Sequence, residues 1–344
     1  MEKLKNFYKN KKILVTGATG FKGAWLCAWL LNLGAKVYAI GYNPNKNKTL
    51  FYSLNLSKKT NLKIFDIRDL KKLDDIVRKS RPQIVFHLAA QPLVIDSYKK
   101  PYLTFDINFR GTLNILEVAK KYKFIKSVIC VTSDKCYENV GKIKGYKETD
   151  MLGGIDPYSA SKSYVESFFK KTNKCGVSSV RAGNVIGGGD WSDNRLIPDC
   201  IKSLSKNKKI VLRNPNFSRP WQLVLEPLKG YLILAEKQFK HPSKYSGAWN
   251  FGTETKSSVS VRQIVEFIIK FWGKGIIKIF NKNKFHEQQN LQIDSTKAKK
   301  LLNWKTSYST KKAVEVTTDW YSKVLRSKMK PSEITNKQIK EYMK

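Results

Sequence analysis

The chain has 344 residues, 41% of them hydrophobic and 27% charged, a globular composition that can bury a large core in two domains or in one domain with a smaller lobe. Its formal charge of +38 raises the question of a nucleic-acid partner, but only ten of the 65 basic residues are Arg, the Lys are dispersed, and neither zinc-finger spacing nor an RNP aromatic motif is present. The expectation is a solvated, Lys-rich surface that attracts anionic substrates, with no nucleic-acid partner and no membrane, since the longest apolar stretch (24–33) is too short to span a bilayer.

Through the first half, short β-branched runs alternate with helical patterns, as in a parallel sheet with crossover helices. Lys12–Thr16 reads as the first strand and 24–33 as the helix that follows. Between them runs Gly17-Ala-Thr-Gly20-Phe-Lys-Gly23. Glycine here lets the backbone turn tightly and approach a pyrophosphate, which then rests on the positive end of the helix dipole. The second strand, 36–40, leads into Ile40-Gly-Tyr-Asn43. That segment has neither an acid for a ribose hydroxyl nor an Arg for a 2′-phosphate, so this element leaves NAD and NADP both open. Strand three, 62–65, is followed by Asp66-Ile67, predicted to reach the adenine end of a cofactor. Strand four, 84–88, is followed by Ala89-Ala90-Gln91, predicted to line its ribose and nicotinamide side. A helix over 111–123, a strand over 127–132, a helix over 158–171 and a strand over 177–182 complete the alternation. The predicted fold is α/β, a doubly wound parallel Rossmann sheet with a smaller α/β substrate-binding lobe. After Gly187 the rhythm breaks, and helices at 198–204, Val261–Trp272 and Thr310–Leu325 predict a lobe woven from separated segments. The last dozen residues predict a polar terminal helix capped by Ser332.

Tyr158 and Lys162 are four apart and share one helix face. A neighbouring ammonium favours phenolate and should lower the Tyr pKa toward neutrality, so that Tyr158 can accept a carbinol proton as hydride leaves for a nicotinamide. Ser133-Asp134-Lys135 follows strand five, at the edge where a doubly wound sheet binds its substrate. Asp134 can protonate a departing hydroxyl if it stays protonated in a dry pocket. Lys135 can remove a proton only when neutral, which requires lowering its pKa by ~3 units, about 4 kcal/mol, through burial near other cations. The cysteines at 27, 130, 136, 175 and 200 form no C-x-x-C pair, and the opening Met1-Glu-Lys-Leu-Lys-Asn lacks the apolar run of a secretory signal. Reduced thiols and a cytoplasmic location are expected. His87, His241 and His286 are too far apart in sequence to suggest a metal site.

Taken together, these segments resemble the CDP-glucose 4,6-dehydratases, NAD-dependent nucleotide-sugar dehydratases of the extended short-chain dehydrogenase/reductase superfamily, over about residues 10–325. The likeness rests on Val15-Thr-Gly-Ala-Thr-Gly-Phe-Lys-Gly23, His87-Leu-Ala-Ala-Gln-Pro-Leu-Val94 and Val131-Thr-Ser-Asp-Lys-Cys-Tyr-Glu-Asn139. It continues through Arg181-Ala-Gly-Asn-Val-Ile-Gly-Gly-Gly-Asp-Trp191, Arg195-Leu-Ile-Pro-Asp199, Arg219-Pro-Trp-Gln and Leu225-Glu-Pro-Leu228. Ser-Asp-Lys is the discriminating triplet. Related dTDP-glucose and GDP-mannose dehydratases carry Thr-Asp-Glu or a similar acidic triplet, and sugar epimerases lack the acid–base pair.

The resemblance implies a hydro-lyase that converts CDP-glucose to CDP-4-keto-6-deoxyglucose and water by internal hydride transfer through bound NAD. Ser133, Asp134, Lys135, Tyr158 and Lys162 would be catalytic. Gly17, Thr19, Gly20, Phe21, Gly23, Asp66, Ile67, Ala89, Ala90, Gln91 and Asn108, with Tyr158 and Lys162, would hold the cofactor. Asn184, Arg195, Leu196, Arg213, Arg219 and His286 would grip the nucleotide sugar. The likeness also implies a homodimer through the helices at 111–123 and 158–171. The cofactor domain would cover 1–186 with a returning segment near 220–252, the sugar-nucleotide lobe 187–219 and 253–330, and a tail helix 331–344. Two departures bear on substrate fit: Leu223 stands where the family has His in Trp-Gln-His-Val-Leu-Glu, and the segment between Phe169 and Val177 is short.

Overall fold

The computed structural model describes residues 2–42, 49–142, 144–169, 175–253, 259–280 and 291–344. Strands β1 (Lys12–Thr16), β2 (Lys36–Gly41), β3 (Asn61–Ile64), β4 (Ile84–His87), β5 (Ser127–Val131) and β6 (Gly176–Arg181) join a later strand, Gly247–Asn250, in one seven-stranded sheet. Every pairing in it is parallel, and the order from one edge is Gly247–Asn250, β6, β5, β4, β1, β2, β3. The chain reverses direction across the sheet between β1 and β4, which is the switch point where such folds bind ligands.

Helices cover both faces, so the central strands are apolar throughout rather than alternating. In β1, Ile13 and Val15 point into one core with Trp25 and Trp29, while Leu14 points into the other with Leu73 and Ile115. The helix Phe21–Asn32 buries every residue from Gly23 to Leu30. It lies between the sheet and the C-terminal helix, against which Trp29 packs edge-on to Tyr342 at 5.7 Å.

The C-terminal helix, Pro331–Tyr342, differs from expectation at its start. Lys330 is the N-cap, Pro331 takes the first turn and Ser332 caps nothing. Proline already has helical φ and no N–H to satisfy there, so the helix begins at it. Nor is the helix a polar appendage, since Ile334, Ile339 and Tyr342 are buried and the Tyr342 hydroxyl donates to buried Glu226 at 2.6 Å.

From Val185 on, three two-stranded pairings form beside the main sheet, which only Gly247–Asn250 rejoins among the described residues: 185–186 with 222–223, 218–219 with 259–260, and 210–212 with 277–279. Leu223 is 1% exposed in the larger core, so its side chain packs inward instead of lining a cleft. The segment 170–174, with the shortening noted in sequence, lies outside the described residues.

Candidate active site

The glycine turn is shaped by contacts that exclude side chains. Gly17 has φ +68°, and a Cβ there would come within 2.6 Å of the Ala89 backbone nitrogen. A Cβ on Gly23 would approach the Gly17 carbonyl oxygen to 2.2 Å. The ends of β1 and β4 and the start of the first helix therefore close on one another only without those atoms. Thr19 packs on the end of β2, where a Cβ on Gly41 would lie 2.4 Å from its Cγ2. Half-buried Phe21 lies against Gly187. Gly20 is the N-cap of Phe21–Asn32 and supplies no side-chain cap. The N–H groups of that first turn remain for an anion, so the turn fits the pyrophosphate of a dinucleotide.

The next two loops are tied in place by their own residues. The Asp66 carboxylate pairs with Arg68 at 2.6 Å. That guanidinium also reaches Asp106 at 2.7 Å, and its hydrogen bonds hold the Asp66 carboxyl below the usual carboxylate range. Ile67 is buried beneath Gly111. Ala89 and Ala90 are half-buried at the end of β4. Gln91 spends its amide on nearby protein groups, donating to the Leu93 carbonyl of its own loop at 3.0 Å and to Thr104 Oγ1 of the helix Pro101–Phe105 at 3.1 Å. Asn108 is buried in a π-helical turn, 106–110. It accepts from the Gln91 N–H at 2.8 Å and donates to Ser161 Oγ at 2.9 Å. Asn108 thus binds the loop after β4 to the helix that carries Tyr158.

That helix, Pro157–Glu166, starts at Asp156, which accepts from the Ser159 N–H at 2.9 Å, with Pro157 in its first turn. Tyr158 and Lys162 are both buried on it. The expected lowering of the Tyr158 pKa is not found. Burial pushes the phenol up to about 12, against the pull of a hydrogen bond with Ser133. Burial also lowers Lys162 to about 8, and its Nζ donates to the Val131 carbonyl at 3.2 Å. Desolvation is the largest cause for both groups, because both are out of water.

Ser133 opens a short 3₁₀ turn, 134–136, at the end of β5. Its hydroxyl donates to Asp134 Oδ1 at 3.0 Å and accepts from the Lys135 N–H at 3.2 Å. Asp134 is 7% exposed. Burial raises its carboxyl above the usual range, and the charges of Lys135, Lys22 and Arg219 oppose that rise. Lys135 is half-buried beside it. Gly183 must be glycine here, because a Cβ would stand 2.6 Å from Asp134 Oδ2.

The substrate candidates are only partly gathered. Arg195 pairs with buried Asp190 at 2.8 Å, and its charge reaches Tyr158 and Lys22. Arg219 acts on Asp134. Asn184 and Leu196 are half-buried nearby in the chain, at the short strand pairing and at the first turn of the helix Leu196–Ser205. Arg213 is exposed past 210–212, and its charge acts on Asp199, one helical turn beyond Arg195. His286 lies outside the described residues. Among the described residues, no group of three or more His, Cys, Asp or Glu could hold a metal ion, and no helix is long and apolar enough to cross a membrane.

Two features escape sequence reasoning. Lys22, inside the glycine turn, directs its charge at Asp134, Arg195 and Lys162, and burial lowers its pKa to about 8. The only trace in sequence is a Lys opening an otherwise apolar helix. The second is a buried network behind the site. Glu166 accepts from Arg181 at 2.8 Å, and Arg181 donates to the Tyr137 hydroxyl at 2.6 Å.

Fold and sheet edge define the class, an α/β enzyme of the short-chain dehydrogenase/reductase type. The family model described as GDP-mannose 4,6 dehydratase matches residues 14–317. The chain belongs to that family. It is 40% identical over 335 residues to CDP-glucose 4,6-dehydratase of Salmonella typhimurium, covering 94% of this chain and 93% of that protein. A putative UDP-glucose 4-epimerase of Methanocaldococcus jannaschii is 27% identical, covering 90% of this chain and 97% of that protein. Among solved structures, dTDP-glucose 4,6-dehydratase of Bacillus anthracis in complex with NAD shares the fold, with TM-score 0.76 at 23% identity, covering 91% of this chain and 97% of that one.

Proposed function

We propose that this chain removes water from a nucleotide hexose, converting CDP-glucose to CDP-4-keto-6-deoxyglucose. The observation that carries this reading is the Ser133-Asp134-Lys135 turn, which sets a buried carboxyl, a lysine and the Tyr158 phenol at one sheet edge. The 40% identity with a CDP-glucose 4,6-dehydratase supports the choice of nucleotide. Bound NAD would supply a hydride acceptor at C4 and a donor at C6. Gly17, Gly20 and Gly23 would hold its pyrophosphate, Thr19 and Phe21 would flank it, Asp66 and Ile67 would meet its adenine, and Ala89, Ala90 and Gln91 would line its ribose side. Asn108 would fix that last loop, and Lys162 would orient the ribose beside Tyr158.

Tyr158 would take the proton of the 4-hydroxyl as phenolate, the form that burial opposes and its hydrogen bond with Ser133 favours. The ketone at C4 makes the C5 proton acidic, and Lys135 removes it. Asp134 protonates the 6-hydroxyl, which leaves as water, and the burial that raises its carboxyl favours the protonated form this step needs. Arg195, Arg219, Asn184 and Leu196 would contact the nucleotide diphosphate, with Arg213 at its rim, because guanidinium forks match phosphate oxygens. We also assign 1–186 with 220–252 to the cofactor half and the remaining segments to the sugar-nucleotide half, with 331–344 as the tail. The protein would act as a homodimer. Its five cysteines are free and buried, which suits a reducing cytoplasm.

Incubation with NAD and, separately, CDP-glucose, dTDP-glucose and GDP-mannose tests the reading. A 4-keto-6-deoxy product from CDP-glucose alone is expected. An epimerised hexose without loss of water from any of the three would overturn it.

A further inference from the structure

His87 closes strand β4, just before the Leu88-Ala89-Ala90-Gln91 loop, and the proposed chemistry gives it no part. It is buried, and each ring nitrogen meets a threonine hydroxyl. Nδ1 lies 2.7 Å from Thr16 Oγ1, and Nε2 lies 3.0 Å from Thr112 Oγ1. Thr16 ends β1 next to Gly17, and Thr112 stands in the helix Gly111–Lys121. Donor and acceptor count sets the proton positions, because a hydroxyl has one proton to give. Thr112 gives its proton to the Asn108 carbonyl at 2.6 Å. Toward His87 it can only accept, so Nε2 carries a ring proton. Burial, with the charge of Lys162 second, lowers the His87 pKa to about 3, so the ring is neutral and Nδ1 is bare. Thr16 must then donate to Nδ1. Its oxygen is left to accept, and the Ala89 N–H reaches it at 3.3 Å.

The result is a directed line of hydrogen bonds through the centre of the cofactor half. The Ala89 N–H gives to Thr16, Thr16 to His87, His87 to Thr112, and Thr112 to Asn108. The Asn108 side chain carries the line on to Ser161 at 2.9 Å, and Ser161 gives to the Tyr158 carbonyl at 2.7 Å. Thr16, His87, Thr112, Asn108 and Ser161 are each at most 3% exposed, so solvent cannot replace a missing member. The Thr16 end is the place where Gly17 and Ala89 close on each other too tightly for a Cβ.

We propose that His87 is a positioning residue for the dinucleotide, a neutral Nε2–H imidazole whose bare Nδ1 holds Thr16 so that the glycine turn and the loop after β4 stay closed on each other. The inference rests on the reading that Gly17, Gly20 and Gly23 hold the pyrophosphate of NAD. Thr112 and Asn108 lock the ring from the other side. The Nδ1–H tautomer would set a bare Nε2 against the lone pairs of Thr112, and an imidazolium would leave the Thr16 proton without an acceptor.

Two measurements test this. The chain has three histidines, so His241→Gln combined with His286→Gln leaves His87 as the single imidazole. Nitrogen-15 NMR of that full-length, NAD-free protein at pH 7 should show a protonated Nε2 and an unprotonated Nδ1. A protonated Nδ1 would overturn the inference, and this result needs no change at His87. Calorimetric titration with NAD then separates positioning from general stability. His87→Gln places an amide near Nε2 but no acceptor at Nδ1, and it should bind NAD about tenfold more weakly, the scale of one buried polar group left unpaired. His87→Asn restores an acceptor near Nδ1 and should recover most of that loss. Equal NAD affinity in wild type and His87→Gln, or equal losses in both variants, would overturn the positioning role and leave the glycine turn as the NAD site. A wild type that binds no NAD would overturn that reading and this inference with it.

Discussion

Lys22 is the second residue of a helix whose next eight residues are buried. A helix N-terminus already carries partial positive charge, and Arg195 and Lys162 add theirs. Burial and these neighbours lower the Lys22 pKa from 10.5 to about 8. A base whose folded pKa is lowered binds fewer protons folded than unfolded, so it costs stability fully below pH 8, and that cost disappears as pH rises to 10.5. Lys22→Met should therefore raise the melting temperature of the ligand-free protein at pH 7 by on the order of 2 °C, and the gain should vanish near pH 10.5. The same change should weaken CDP binding about tenfold by calorimetry, about 1.4 kcal/mol. A variant that melts no higher at pH 7, or binds CDP as tightly, would refute this role. The glycine turn was legible because its steric demand is expressed in residue type. Lys22 was not, because one lysine among 55 has no signal until its burial is seen.

The helix Pro157–Glu166 is held at both ends. Asp156 caps its start, and at its end Glu166 forms a pair with Arg181 of β6 in which both side chains are 2% exposed. Glu166 also accepts from Thr132 and Ser179, joining the helix to β5 and β6 one turn beyond Lys162. Glu166→Gln leaves the Arg181 charge buried without its counter-charge, a change that costs about 3–5 kcal/mol. Urea melts should show that loss, and turnover should fall with it because Tyr158 and Lys162 ride on the same helix. A loss under 1 kcal/mol would mean that the guanidinium finds a substitute partner, the Tyr137 hydroxyl being the nearest candidate. The main strands read within a residue or so from sequence, since buried parallel strands are short continuous apolar runs. Helices of four to six residues at 50–53, 56–59, 94–99 and 101–105 were not foreseen, being too short to show a helical period. The Glu166–Arg181 pair was equally hidden, because partners 15 residues apart meet only once the strand is folded.

At the scale of the whole molecule, charge and apolar surface are segregated. The chain carries +38, yet 101–110 contains no Lys and 157–168 only the buried Lys162. Those two segments present an aromatic face: Tyr102 is 90% exposed and Tyr164 53%. Phe109 lies 5.3 Å from Phe105, 5.0 Å from Tyr164 and 5.2 Å from Phe168. An apolar patch spared the repulsion that covers the rest of the surface is suited to a second copy of the chain. The exposed residues of 111–121 are Glu117, Lys120 and Lys121, so the contact implied by resemblance would shift from that helix to 101–110. Light scattering at micromolar concentration should give twice the 39.6 kDa chain mass for the wild type. Phe105→Asp combined with Tyr164→Asp should give the single-chain mass, because a carboxylate on each side of a two-fold contact meets its own copy. Both substituted side chains are partly exposed, so the monomer should keep its fold by circular dichroism. A wild type that stays at the single-chain mass under these conditions would remove this face as a dimer contact.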